Sequence, residues 1–284
     1  MRRLVGWHKH RTPWAVRDAT LLLPDQGVQV RRTLWPVQFQ HGLPGETWQG
    51  QVTDSASGSA TAPPPYSQGV LDLHPVAYWP LDGNGNDATG NGYDLTTTGS
   101  PTWESSGPTS YVDWSVYLNG STYFTAPSSL DPSGWTGITV LAWVMFPSSP
   151  SDNPRVVCNA HTDTNHNGFQ LMFNSGLGSG FFDIGNGSNV AANWSTSHAT
   201  GTWYFYCGAW SSTSGVVAAY FNGQTAATGS GTGTIQSSSY PVTIGRNPVY
   251  NGDYVTGYVS GVAIYDYALT QQQIQQLYYG ALYD

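Results

Sequence analysis

The stretch Gly261-Val262-Ala263-Ile264-Tyr265-Asp266-Tyr267-Ala268-Leu269-Thr270 carries the strongest indication of the fold. Its first half ends an apolar and aromatic run, Tyr254–Tyr265, of the kind that forms a buried strand. Thr270 is a favoured N-cap residue. Beyond it, apolar residues recur at the spacing of one helix face, at Ile274, Leu277 and Tyr278. The stretch therefore predicts a strand followed at once by a short helix that packs on a sheet.

Similar β-rich runs occur along the whole chain from residue 76, separated by Asn-Gly, Pro-Ser and Gly-rich turn sequences. Together with the run already described, they are Val76–Leu81, Tyr111–Leu118, Ser121–Ala126, Ile138–Phe146, Arg155–Ala160, Gly168–Phe173, Gly180–Ile184, Trp203–Trp210, Val216–Phe221 and Val242–Ile244. Many short strands at this spacing favour two packed antiparallel sheets. The predicted fold class is all-β, a two-sheet sandwich with one short C-terminal helix.

Several motifs stand in a characteristic order between residues 76 and 280. They are V-A-Y-W-P-L-D-G at Val76–Gly83, L-N-G-S-T-Y-F at Leu118–Phe124, I-T-V-L-A-W-V at Ile138–Val144, G-T-W-Y at Gly201–Tyr204, Y-F-N-G at Tyr220–Gly223, and Ile244-Gly245 followed by the opening stretch. As a set they resemble laminin-G-like, concanavalin A-like jelly-roll domains. The resemblance implies a jelly-roll sandwich for residues 71–284 and has no counterpart for residues 1–70.

The composition is poor in charge and rich in small polar residues. Charged residues make up 9% of the 284 residues, which is typical of sandwiches with polar, uncharged outer faces in surface and extracellular proteins. No apolar run approaches the roughly 20 residues of a membrane helix. Residues 1–10 also lack the apolar segment of a secretory signal. A virion-surface protein would reconcile these observations, and an extracellular or cell-surface protein is the alternative.

Basic residues are concentrated at the N-terminus. Residues 1–32 hold seven of the nine Lys and Arg residues and have a net charge of +5, whereas residues 33–284 have a net charge of −13. The period-two pattern of residues 28–35 and four prolines predict an extended arm over residues 1–53. A Ser/Ala/Gly stretch with a triple proline predicts a linker over residues 54–70.

An extended basic arm is stabilised when it pairs with a neighbour. Its sparse arginines, interleaved with tryptophan and proline, favour an acidic protein surface over nucleic acid, which would need a denser row of cations. The candidate docking residues are Arg2, Arg3, Arg11, Arg17, Arg31, Arg32 and Trp35. The expected partners are other virion proteins, a major capsid or tail protein, in a homo-oligomeric or multicopy assembly.

The sequence offers little for catalysis. Glycosidases on this sandwich need two carboxylates held about 5–10 Å apart. After the linker the chain has a single glutamate, Glu104, and Asp183 stands alone in its predicted strand. No Ser-His-Asp order and no His/Cys cluster with metal-ligand spacing is present, so the protein is predicted not to be an enzyme.

Two loops are candidate calcium sites, because hard cations prefer oxygen ligands from closely spaced Asp and Asn residues. The first offers Asp82, Asn84, Asn86 and Asp87, and the second offers Asp163, Asn165 and Asn167. Calcium sites at the rim of laminin-G-like domains strengthen the first. The same residues are also ordinary in hairpin turns, so a purely structural role stays open.

Five aromatic residues in polar loops are candidates for stacking on sugar rings: Trp103, Trp135, Trp194, Tyr250 and Tyr254. Packing within a tryptophan-rich sandwich is the alternative for each of them. Cys158 and Cys207, the two cysteines, either form one bridge or are buried thiols, and a cytosol-assembled protein favours thiols.

These observations predict a non-enzymatic virion decoration, head-fibre or tail-associated protein. The arm anchors the chain, and the sandwich faces outward towards neighbours or host glycans. A free or secreted carbohydrate-binding lectin module is the alternative from another class, and an accessory domain of a glycan-degrading enzyme is a third.

Overall fold

The computed structural model of the chain describes residues 19–21, 30–32, 66–159, 166–250 and 252–282. The chain divides into two units, residues 1–58 and 59–284. Its strands are β1 (Ala19–Leu21), β2 (Val30–Arg32), β3 (Ala77–Trp79), β4 (Thr96–Thr98), β5 (Thr102–Glu104), β6 (Ser115–Asn119), β7 (Tyr123–Thr125), β8 (Gly137–Met145), β9 (Arg155–Cys158), β10 (Phe169–Phe173), β11 (Gly180–Gly185), β12 (Asn189–Trp194), β13 (Tyr204–Ser211), β14 (Val216–Phe221), β15 (Gln224–Ser230), β16 (Thr243–Ile244) and β17 (Thr256–Tyr265). The helices are α1 (Tyr66–Asp72) and α2 (Gln271–Gly280), with a 3-10 turn at Ser175–Leu177.

In the first unit, β1 and β2 pair antiparallel, with Ala19 opposite Arg32. The period-two pattern of residues 28–35 is thus a strand at its centre. Of the candidate docking residues, Arg31 and Arg32 lie in β2. The other five lie outside the described residues: Arg2, Arg3, Arg11, Arg17 and Trp35.

The second unit is a sandwich of two antiparallel sheets, which confirms the predicted fold class. One sheet has seven strands in the order β12-β11-β10-β9-β16-β7-β4. The other has eight, in the order β15-β14-β13-β8-β17-β6-β5, with β3 pairing with β17. The inner faces interlock closely: the Phe182 ring of β11 lies over Gly208 of β13, where a Cβ atom would come within 2.0 Å of the ring. Any larger residue at 208 would force the sheets apart.

The outer face of the eight-stranded sheet carries a second apolar cluster, because both helices pack there. Trp143, Phe205 and Tyr265 point outward from the sheet and are buried with α1 and α2. The predicted N-cap of α2 is confirmed: the Thr270 hydroxyl accepts from the Gln273 N–H at 3.3 Å, and the Gln273 side chain accepts from the Thr270 N–H at 2.9 Å.

Helix α1 begins inside the segment that the sequence predicts as linker. Tyr66 and Val70 are buried against the sandwich, and the Tyr66 hydroxyl donates to the Gly261 carbonyl at 3.2 Å. Gly261 has a left-handed φ of 55° at an irregularity in β17, and a Cβ atom there would come within 2.9 Å of the Tyr66 ring. The part of the chain that packs as sandwich therefore begins at residue 66, whereas the sequence places its start at residue 71.

The two cysteines are thiols that are not joined to each other, which is the favoured one of the two alternatives left open by the sequence. Side chains alternate between the faces of a strand, and sheets pack about 10 Å apart. Cys207 points outward from the eight-stranded sheet into the cluster under the helices. Cys158 follows Val157, which belongs to the core between the sheets. The thiols thus point away from the shared core on opposite sides, beyond the reach of a disulfide.

Candidate functional site

Three of the five predicted sugar-stacking residues are packing residues in the structure. Trp194 lies in strand β12 rather than in a loop and is 3% exposed, with its ring centroid 4.9 Å from that of Phe221. Trp103 packs 5.8 Å from Phe124, and Trp135 packs partly buried against the same core. The prediction is corrected for Trp194, because the strand turns its side chain inward, and the alternative of packing describes Trp103 and Trp135.

The other two, Tyr250 and Tyr254, lie at one end of the seven-stranded sheet. Antiparallel pairing brings the start of β7, the start of β9 and the end of β16 to that end. We call the surface formed there the Arg246 rim. Its residues are Tyr123, Asp152, Arg155, Arg246, Asn247, Tyr250, Asp253 and Tyr254.

Aromatic rings and a cation form one part of the Arg246 rim. The Arg246 guanidinium carbon lies 4.1 Å from the centre of the Tyr123 ring, within the range of a cation–π interaction. The Tyr254 ring centroid is 6.1 Å from that of Tyr123. Tyr250 is 47% exposed, the largest fraction among the described large apolar and aromatic residues. The side chains combine ring faces with a fixed positive charge.

An ion-pair network forms the other part. Arg155 lies 3.3 Å from the Asp253 carboxylate, which also accepts from the Asn247 amide at 3.0 Å. The Asp253 backbone N–H donates to the Asp152 carboxylate at 2.9 Å. Asp253 has a left-handed φ of 54°, which Asp tolerates better than most residues. The network therefore holds the loop 245–255 against the start of β9.

The pKa values of the Asp152 and Asp253 carboxyl groups are shifted in opposite directions. Burial tends to raise the pKa of Asp152, but N–H donors from Asn153 and Asp253 and the Arg155 charge outweigh it, and its pKa is lowered. Burial raises the pKa of Asp253, and the neighbouring Asp152 carboxylate adds to the rise. Asp152 therefore stays ionised to a lower pH than Asp253.

Two guanidinium donors in the rim have no acceptor among the described residues. The Nε atoms of Arg155 and Arg246 are both buried and unpaired there. An unpaired buried donor costs free energy, so each such group needs an explanation. Arg246 in particular offers an N–H donor next to the Tyr123 ring. Neither arginine was singled out from the sequence, although they are the only cations after residue 32.

The first candidate calcium loop is organised from within. The Asp87 carboxylate accepts from the backbone N–H groups of Tyr78, Thr89 and Tyr93 and from the Thr89 hydroxyl, at 2.8–3.1 Å. Both oxygens are therefore occupied by donors, so Asp87 does not fit the part of a calcium ligand.

The remaining residues of that loop are exposed and partly engaged with one another: the Asn84 amide donates to Asp82 at 3.3 Å and accepts from the Asn86 N–H at 2.8 Å. In the second loop Asp163 and Asn165 lie outside the described residues, and Asn167 is described and half-buried. Among the described residues, no group of three or more His, Cys, Asp or Glu side chains is arranged to hold a metal ion. Calcium binding stays a prediction.

The fold is similar to that of several solved domains. Domain 4 of AbnA, a GH43 extracellular arabinanase from Geobacillus stearothermophilus, in complex with arabinotriose, is 20% identical with a TM-score of 0.57, covering 72% of this chain and 97% of that one. The botulinum neurotoxin serotype G binding domain is 12% identical with a TM-score of 0.56, covering 72% and 50%.

A further similar structure is that of botulinum neurotoxin type C, whose cell entry depends on interaction with two ganglioside molecules. It is 15% identical with a TM-score of 0.57, covering 76% of this chain and 53% of that one. The chain thus spans about half the length of the neurotoxin structures that it matches. At these identities the likeness establishes the fold alone.

No curated protein matches the chain in sequence. Within the described residues, no helix has the length and apolar character needed to cross a membrane. The model of one family, described as the Concanavalin A-like lectin/glucanases superfamily, matches residues 118–275. This match covers more than half of the 284 residues and includes strands of both sheets. The chain therefore belongs to the Concanavalin A-like lectin/glucanases superfamily.

Proposed function

We propose that the protein is a non-enzymatic, lectin-like module that binds carbohydrate at the Arg246 rim. The observation that carries the proposal is the combination of the Tyr123–Arg246 stack with the exposed Tyr250 ring. A ring face attracts the C–H face of a sugar, and guanidinium and carboxylate groups take its hydroxyls.

The similar structures support this reading by analogy. One of them holds arabinotriose, and another belongs to a toxin that interacts with gangliosides. The rim has Arg246 beside its aromatic rings, so acidic sugars are the favoured ligands. A shallow rim of this kind gives weak binding at a single site. Display in many copies would raise the overall avidity without new contacts.

A glycan array probed with the full-length protein tests the proposal. We expect a signal that falls at least tenfold in the Arg246→Ala and Tyr254→Ala variants and is retained in Tyr254→Phe, which keeps the ring. Tyr240→Ala removes an exposed tyrosine elsewhere and is the matched control. An array without signal for the wild-type protein, or equal signals for all variants, would contradict the proposal.

A second candidate function rests on the charge division between residues 1–32 and the rest of the chain. A net charge of +5 on residues 1–32 against −13 on the remainder favours a display protein whose arm grips an acidic protein lattice. On this proposal the protein is a virion decoration or tail-associated component, present in many copies, with its sandwich facing outward towards host glycans. A free extracellular lectin is the alternative.

Removal of residues 1–53 tests anchoring by the arm separately from carbohydrate binding by the sandwich. The truncated protein is expected to lose co-sedimentation with virus particles while keeping the glycan-array signal. Continued association with particles would exclude anchoring by the arm. Loss of glycan binding on truncation would instead place the sugar site in the arm.

A further inference from the structure

A row of large side chains crosses the outer face of the eight-stranded sheet. Tyr258 of β17 pairs with Tyr117 of β6 on one side and with Met145 of β8 on the other. Trp203 immediately precedes Tyr204, which pairs with Val144, so Trp203 lies next to Met145. Neighbouring strands are about 4.8 Å apart, and the row therefore runs about 14 Å across four strands.

The rings in this row are in mutual contact and partly exposed. The ring centroids of Tyr117 and Tyr258 are 4.9 Å apart, and those of Tyr258 and Trp203 are 6.2 Å apart. Their planes are tilted by 49° and 61°, so the surface is corrugated rather than flat. All four side chains are half-buried. The row borders the apolar cluster under the helices. Of the four side chains, only that of Trp203 packs against this cluster.

The row is bordered by groups that form hydrogen bonds but carry no positive charge. Asn119 and Thr256 pair directly beside the two tyrosines, and both are exposed. Thr102 pairs with Tyr117 at the end of the row. Two residues further along β5, Glu104 places a carboxylate on the same face. The only cations after residue 32 are Arg155 and Arg246, and both lie in the rim of the other sheet.

We propose that this row is a second binding site, which takes the interior of an extended, neutral polysaccharide chain. Ring faces that follow one another in a line match successive sugar rings, whose C–H faces they attract. Their tilt suits a chain in which each sugar is rotated relative to the last. The Asn119 amide, whose oxygen already accepts from Ser121 and Thr122, donates to hydroxyl groups along its edge, and the Thr256 hydroxyl binds others. The carboxylate of Glu104, with no Lys or Arg beside it among the described residues of the sandwich, disfavours acidic polysaccharides.

Affinity gel electrophoresis of the full-length protein in gels that contain hydroxyethylcellulose, arabinan or mannan tests the proposal, with polygalacturonate as the acidic probe. We expect retardation by at least one neutral polysaccharide and none by polygalacturonate. The double variant Tyr117→Ala/Tyr258→Ala should weaken the retardation at least tenfold, and Tyr117→Phe/Tyr258→Phe should retain it.

A second variant keeps the test valid if the double alanine variant fails to fold. Thr256→Lys adds bulk beside the row at an exposed position and should also weaken binding, whereas Val216→Lys changes an exposed position in another strand of the same sheet and should not. Lack of retardation by all three neutral polysaccharides would overturn the proposal, as would unchanged retardation of Thr256→Lys. The Arg246→Ala variant keeps this binding, so failure at the row is distinct from failure at the rim.

Discussion

The Asp87 carboxylate lies at the centre of the loop that joins β3 to β4. It accepts from N–H groups of residues before and after it, at Tyr78, Thr89 and Tyr93. The spacing of Asp and Asn residues that indicates a calcium loop is here the spacing of a self-bonded turn. At the scale of single residues, the same polar types serve both roles, and only the position of the donors distinguishes them.

Replacement of Asp87 by Ala is expected to lower the free energy of unfolding by about 3 kcal/mol, because backbone donors lose a charged acceptor. Asp82→Ala, in the same loop but exposed, should change it by less than about 0.5 kcal/mol. Urea unfolding in buffer with EDTA measures both without a contribution from calcium. Equal effects of the two substitutions would show that Asp87 does not organise the loop.

At the scale of elements, the strands of the sandwich that sequence patterns missed share one property. All eleven predicted runs contain a strand, but β4, β5, β12 and β15 were not predicted. These four are the terminal strands of the two sheets. Two of them, β4 and β5, have only three residues each, and Thr96–Thr98 is exposed throughout. Such strands are held by a neighbour's backbone, so they carry little hydrophobic periodicity of their own.

Helix α1 is a further element that the sequence patterns did not predict. Its sequence, Y-S-Q-G-V-L-D, follows three prolines and contains a glycine, which indicates a linker. Burial of Tyr66 against Trp143 and Phe205 decides otherwise. A partner surface contributed by distant strands is invisible to local patterns, so propensity was overridden by packing.

Substitutions in α1 measure what this packing contributes. Val70→Ala should lower the free energy of unfolding by about 2 kcal/mol, because Val70 is fully buried. Tyr66→Phe should lower it by about 1 kcal/mol through loss of the hydrogen bond to Gly261. Gln68→Ala, on the exposed face of the helix, is the control. If Val70→Ala unfolds at the same urea concentration as the wild-type protein, α1 behaves as part of the linker.

For the molecule as a whole, one histidine gives stability a dependence on mild acid. His198 lies among Phe173, Tyr204, Tyr206 and Phe221, with its ring 4.5 Å from that of Phe221. Burial lowers its pKa, although backbone groups of Leu177 and Thr196 oppose the shift. The unfolded chain therefore takes up a proton at a higher pH than the folded one.

Stability from this group is fully present above its unfolded pKa of about 6.5 and is lost as the pH falls from there to the lower folded pKa. The melting temperature of the sandwich should thus fall between pH 7.5 and 5. His198→Phe should flatten that slope, and His74→Asn, at an exposed left-handed position, should leave it unchanged. The same slope in His198→Phe and in the wild-type protein would assign the acid sensitivity to other groups.

The sequence by itself determined the all-β class, the motif order of the superfamily and the C-terminal helix with its Thr270 cap. These depend on local patterns: strand periodicity, turn residues and capping chemistry. Only the tertiary structure decided that Trp194 packs inward, that Asp87 bonds its own loop and that Tyr123 lies between Arg246 and Tyr254. These depend on contacts between segments that are distant in the chain. The local sequence around a side chain does not encode its direction relative to such a remote neighbour.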